Sequence, residues 1–380
     1  MPTNRVPEVD VIRLVALLGI CMGNIPVMGI SDGMADDSFF GMVTDPINQY
    51  AKFVTGLLID GKFIILFSFI FGWGIAVQEK QITAAGGDFK RYYFRRSRGL
   101  MLLGVLHMVL VFDGDILLVY GITSVFFWSL RGYVLRTPVK RFLWQMVRYQ
   151  YMALALVVGF FGYLMSVTDI DGISMLLAGN DELGGSFGEA TTYRLFSGSI
   201  ALILSLFTFT FHALAAFGLG YLAEHSGFFR EGSDSFQRLR ELLPKLLIFG
   251  SVSNVFYALG VSELVGETAT LAGMLLWMVG APALAAVYLY FLVIIARRIQ
   301  LPELFMLAGR NSLSVYVLQG VIASLMFGGY GLGWFGEFGE LALIPISIGI
   351  YFATVVIVGL YAKRYGRGFL EPVLRGMSKG

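Results

Sequence analysis

Runs of about 20 mostly apolar residues, each long enough to cross the hydrocarbon core of a bilayer as a helix, recur along the whole chain. In hydrocarbon, backbone N–H and C=O groups must be satisfied within the protein, so a spanning run becomes a helix unless its strands close into a barrel. Runs of this length read as helices. Ten are read, at 11–30, 46–78, 99–113, 115–131, 149–168, 195–223, 245–262, 268–296, 311–327 and 341–362. The expected fold is all-α: a polytopic transmembrane helical bundle of about ten spans, forming a single transmembrane domain over residues 1–380. The longest stretch between spans, 169–193, is polar and Gly-rich and is expected to be an extracytoplasmic loop. Composition closes the alternatives. Charged residues make up 14% of the chain, against about 25% in an average soluble protein, too few to cover a soluble domain. A single cysteine excludes a disulfide scaffold.

The second run is too long for one straight crossing. Asp60-Gly61-Lys62 interrupts it, which predicts a broken helix. The third and fourth runs form a tight hairpin that turns at Asp113-Gly114-Asp115. Charge sorts by side. Segments 31–45, 113–115, 169–193, 262–267 and 328–340 hold 15 of the 26 acids and no Lys or Arg. The opposite side holds 23 of the 28 basic residues. The positive-inside rule then places both termini in the cytoplasm. An even number of spans requires the same. The start of the chain lacks the features of a cleavable signal peptide, since Glu8, Asp10 and Arg13 open its first apolar run.

Ionisable groups inside spans are costly and mark either buried pairs or polar cavities. Asp10 and Arg13 share a helix face and are either an interfacial pair or part of a site. Asp60 and Lys62 stand at the break, which is either a substrate site or a short solvated loop. His107 lies in an apolar run one and a half turns before Asp113, where an imidazole is available for acid–base work or is a structural hydrogen-bonding residue. Asp113 and Asp115 are close in sequence and could share a proton, or form an ordinary Asp-Gly turn. Arg310 opens a span unusually rich in amides and hydroxyls, including Asn311 and Gln319. His212, Glu224, His225 and Cys21 read as structural or interfacial.

No Walker loop, His-Glu-x-x-His or Cys/His cluster is present, so no metal and no tightly bound cofactor are expected. The basic, aromatic-interleaved run 90–98 lies between spans. That position favours contact with anionic lipid over nucleic acid, with cofactor phosphates as a third reading. The expected partners are the lipid bilayer and a small-molecule substrate, with no nucleic acid. Gly19-x-x-x-Gly23 and Gly329-x-x-x-Gly333 suit close packing and would allow a homodimer.

Three stretches together resemble the YeiB family of bacterial inner-membrane proteins, defined largely as a domain of unknown function. They are Val9-Asp10-Val11-Ile12-Arg13 through Asn24-Ile25; Lys62-Phe63 through Gly72, then Leu103 to His107 and Asp113-Gly114-Asp115-Ile116-Leu117; and Ala308-Gly309-Arg310 through Gln319, with Gly368, Leu370-Glu371 and Arg375. The chain departs from the family pattern at Leu14, Val315 and Pro372. The resemblance implies a multi-pass protein of the bacterial plasma (inner) membrane. It also implies a distant relation to membrane acyltransferases, hence an acyl-CoA donor inside and an acceptor at or beyond the outer leaflet. The histidine expected near the end of the first helix in one branch is replaced in that region by Asn24.

The expected activity is therefore acyltransferase-like, moving an acyl group from a cytosolic donor to a small or membrane-associated acceptor. His107 would be the base, oriented or charged by Asp113 and Asp115. Arg13, Asn24, Asp60, Lys62, Arg310, Asn311 and Gln319 would bind substrate. The alternative is a transporter or exporter of a small, anionic metabolite that uses the same groups. A third reading is a membrane partner protein without chemistry.

Overall fold

The computed structural model describes residues 6–30, 45–167 and 180–379. Among them every regular element is helical. The expectations placed on Arg5, on most of 31–45 and on the first half of the 169–193 loop fall outside these residues.

Helix α1 (Pro7–Gly29) is the central rod. Pro7 and the acidic residues Glu8 and Asp10 suit its first turn, where free N–H groups favour negative charge. It is buried on nearly all sides, as a helix apolar all round should be. Helices α2 (Pro46–Leu58) and α3 (Lys62–Ala84) follow, and the break between them is as expected. Gly61 sits there at φ +79°, where a side chain is strained, and a Cβ would lie 2.3 Å from the Trp277 ring. Helices α4 (Phe89–Leu110) and α5 (Ile116–Arg136) form the expected hairpin, with Asp88 and Asp115 capping their N-termini. Next come α6 (Val139–Val167), a helical turn at Asn180–Leu183, α7 (Phe187–Thr208) and α8 (Thr210–His225). A long hairpin of α9 (Asp234–Val261) and α10 (Glu267–Arg298) precedes α11 (Glu303–Arg310), α12 (Ser312–Phe327), α13 (Glu340–Tyr365) and α14 (Glu371–Lys379).

Seven described segments are long and apolar enough to cross a membrane, against ten read from the sequence. Two of the three read spans that are not among the seven, 99–113 and 311–327, have a local cause in the described residues. The basic run 90–98 occupies the first turns of α4, so less than a full span of apolar residues remains. Residues 195–223 count among the seven through α7 alone, and they are not one helix. Phe209 separates α7 from α8, where Thr208 bonds back to the Leu204 carbonyl and Gln150 takes the Phe207 carbonyl, the kind of side-chain intrusion that bends helices. Asn311 likewise separates α11 from the 16-residue α12.

Large apolar side chains such as Leu106, Trp144, Leu156, Phe249 and Leu360 face outward, as a lipid-facing surface requires. The inner core joins α1, α3, α5, α8, α12 and α13. Hydrogen bonds define two ends. At one end Gly336 N–H meets the Gly29 carbonyl, Gly329 N–H meets the Leu183 carbonyl, and Lys52 pairs with Glu340 at 2.6 Å. This is the acid-rich end. At the other, Arg297 pairs with Glu8 and Lys80 with Glu224, among most of the basic residues.

Candidate functional site

Two glycines set the geometry of the α4–α5 hairpin. A Cβ on Gly104 would lie 2.3 Å from the Leu118 nitrogen, and one on Gly121 2.6 Å from Met101. Their absence lets the two backbones approach closely. That approach carries Asp115, at the start of α5, onto the face of α4 that bears His107. His107 Nδ1 lies 2.9 Å from Asp115 Oδ1, and both residues are buried. The second carboxylate oxygen accepts the Leu118 N–H at 2.8 Å, capping α5 and fixing the carboxylate. Tyr316, from α12, donates its hydroxyl to Asp115 Oδ1 at 3.4 Å and receives the Ile116 N–H.

The other imidazole nitrogen, Nε2, is buried without a partner, as is the Gln319 Nε2. Both residues line a cleft between α1, α4 and α12, together with Cys21, Asn24 and Phe112. The cleft measures about 10 Å³, space for roughly one water. Gly320 forms its wall beside the ring, and a Cβ there would lie 2.6 Å from His107 Nε2. With an ionised Asp115 holding a proton on Nδ1, Nε2 presents its lone pair to the cleft. That is the arrangement of a general base with an orienting carboxylate.

Asp113 does not share this site. It accepts the Ser197 hydroxyl at 2.7 Å and packs against α7. The two aspartates, two residues apart, diverge across the turn, because the start of α5 aims one into the bundle and the turn aims the other along it.

Arg13 and Arg310 come together at the base-rich end on one carboxylate. Asp10 holds Arg13 at 3.4 Å and Arg310 at 3.5 Å. From there to Asn24 is fourteen residues of α1, about 20 Å, so this group and His107 are at opposite ends of one helix. Asn311 takes the Gly368 N–H on its side-chain oxygen and donates to the Leu307 carbonyl. Ser314 and Glu371 bond beside it, so Asn311 ties the C-terminal segment to α12 instead of facing the cleft.

The break between α2 and α3 is filled. Lys62 is fully buried and donates to the Gly56 carbonyl at 2.6 Å, one of the free carbonyls at the end of α2. Trp277 donates to the Asp60 carbonyl and Tyr257 to its carboxylate. Gly19 of the first small-residue spacing is used inside the chain, where Phe63 packs against it. His212 bonds the Met278 carbonyl at 2.6 Å, a structural contact.

Arg194 has no place in the sequence reading, because it falls between a loop and a span. The structure buries it at 5% exposure in α7. It donates to the Leu110 carbonyl, the Ser324 hydroxyl and the Tyr330 hydroxyl, and its guanidinium lies over the Tyr330 ring. Its signal was an outer-side basic residue in a region otherwise acidic.

Residues 223–380 match a family model described as a protein of unknown function, DUF418. The uncharacterized protein YxaH of Bacillus subtilis is 24% identical over 98% of this chain and 93% of its own length. The uncharacterized protein YeiB of Escherichia coli is 33% identical over 33% of this chain and 31% of its own length. No solved structure matches the chain.

Proposed function

We propose that this chain, with seven described helical segments long and apolar enough to cross a membrane and similarity to YeiB and to the DUF418 family model, is a membrane-embedded transferase with His107 as general base. The observation that carries this reading is the buried Asp115–His107 pair, whose unpartnered Nε2 opens on a cleft between three helices. In the proposed reaction, Nε2 takes the proton of an acceptor hydroxyl as the oxygen attacks the carbonyl of an acyl thioester. The carbon–sulfur bond breaks and the thiol leaves with a proton. Asp115 stabilises the imidazolium formed on the way. Arg13 and Arg310 carry two cations against the one carboxylate of Asp10, a charge excess suited to an anionic donor such as acyl-CoA at the base-rich end. A cleft the size of one water requires the helices to part for an acceptor to enter.

The second reading is an exporter of a small anion in which the same His–Asp pair exchanges protons. The fully buried Lys62 at the broken helix is the observation that favours it.

Protein purified in detergent is assayed for acyl-CoA hydrolysis and transfer, wild type against His107→Ala. Turnover lost in the variant, with folding preserved, supports the base. No turnover with any acyl donor, alongside metabolite uptake into liposomes that depends on His107, sinks the transferase in favour of the exporter.

A further inference from the structure

Arg194 is a buried cation near the acid-rich end of the bundle with no carboxylate within 4 Å among the described residues. Its three partners are neutral: a carbonyl at the end of α4 and two hydroxyls. Neutral groups and the carbonyl end of a helix orient a guanidinium and lower its burial cost, but they do not cancel its charge. Asp113, on the adjoining turn, is engaged by Ser197 and forms no ion pair with it. An ionised side chain buried this way is a functional group by default in a membrane protein.

Its position gives the function. The Leu110 carbonyl is three residues beyond His107 on α4, and Ser324 is four residues beyond Gly320 on α12. At 1.5 Å per residue these two partners of the guanidinium stand about 4.5–6 Å further along their helix axes than His107 and Gly320, roughly one helical turn outward of the cleft. The Gly-rich segment 328–339 reaches the same place through Tyr330, whose hydroxyl also bonds Ser324.

We infer that Arg194 recognises the anionic group of the molecule that presents its hydroxyl to His107. The ligand class is a small hydroxylated anion whose carboxylate or phosphate stands about one helical turn along the bundle axis from the reacting hydroxyl. A planar fork of N–H donors, with one aromatic face beside it, suits either group. The inference rests on the proposed function for the identity of the hydroxyl, but the anion site is testable without turnover.

The test measures thermal unfolding of detergent-purified protein against rising inorganic phosphate, glycerol phosphate and 4-hydroxybutyrate at constant ionic strength, with neutral glycerol as control. Wild type is expected to show a saturable upward shift with at least one anion and none with glycerol. Which of 4-hydroxybutyrate and glycerol phosphate acts separates carboxylate from phosphate. Arg194→Gln is expected to remove the shift or raise the half-saturating concentration at least about tenfold, the size of one lost charge-assisted contact. His107→Ala is expected to keep it. A wild-type protein unresponsive to all three anions, or an Arg194→Gln protein that responds like wild type, overturns the inference. If Arg194→Gln does not fold, Arg194→Lys decides, since it keeps the charge and loses the fork: unchanged half-saturation overturns the inference. Anion binding through Arg194 with turnover indifferent to His107→Ala leaves this site standing and removes the general base. Turnover that needs His107 while anion binding ignores Arg194 does the reverse.

Discussion

His107 Nδ1 and Asp115 Oδ1 face each other at 2.9 Å across the α4–α5 turn, and the same carboxylate caps α5 through its other oxygen. One side chain therefore has two jobs, and substitutions separate them. Asparagine is as good an N-cap as aspartate, so Asp115→Asn should leave stability within about 1 kcal/mol. It removes the charge that holds the proton on Nδ1. In the assay that detects His107-dependent turnover, the rate should fall by about two to four orders of magnitude. Asp115→Ala should lose the cap as well, at a further ~1 kcal/mol in thermal or denaturant unfolding. An Asp115→Asn enzyme with full turnover would remove the orienting role.

Gly320 bounds the other side of the imidazole. A methyl group there would stand 2.6 Å from Nε2, while Nδ1 is held by Asp115. The ring cannot retreat without breaking that bond. Gly320→Ala should destabilise the protein by about 1–3 kcal/mol, the range for overpacking, and abolish His107-dependent turnover. Pairing it with His107→Ala, which vacates the space, should recover most of the melting temperature. A single variant as stable as wild type would show that α12 can move away.

Lys62 is fully buried with its ammonium on the Gly56 carbonyl. Lys62→Met keeps the length and removes the donor and the charge. The orphaned carbonyl should lower stability by about 1–3 kcal/mol. The loss should appear as faster proteolysis at the α2–α3 break, with little change elsewhere. Unaltered proteolysis and unfolding would mean that the break does not depend on this cap.

Asp10 holds Arg13 and Arg310 from two different helices. A double-mutant cycle of Asp10→Asn with Arg310→Gln should give a coupling of about 0.5–3 kcal/mol, as for members of one ion-pair network. Asp10→Asn alone leaves two guanidiniums without their counter-charge and should be the more damaging single change. Additive effects would mean that the contact to Arg310 carries no energy.

The helical membrane bundle was legible in the sequence because it follows from local quantities: run length, apolar content and backbone hydrogen bonding in hydrocarbon. The break at Gly61 and the turn at 113–115 were legible for the same reason, since glycine and aspartate act on their own few residues. Where helices are interrupted was harder to read. Interruptions at Phe209 and Asn311 arise from side chains bonding to backbone carbonyls, and apolar content does not register them.

The site residues were legible as types and not as partners. His107 was singled out for its apolar surroundings, and Asp113 and Asp115 looked equivalent beside it. Asp10 and Arg13 read as a pair, but Arg310, which completes their cluster, reads as a separate feature, and Arg194 falls at a boundary and does not stand out. Partnership depends on how each helix is rotated about its axis. In an aqueous protein the apolar stripe reveals that rotation, but helices apolar all round, like α1, carry almost no stripe. Close approach at Gly104 and Gly121, and the space left at Gly320, fix the rotation here. By itself the sequence determined a chain of helices for a bilayer and a short set of polar groups within it. Only the tertiary structure decided that Asp115 and not Asp113 meets His107, that Lys62 and Asn311 serve the backbone, and that Arg194 lies one turn from the cleft.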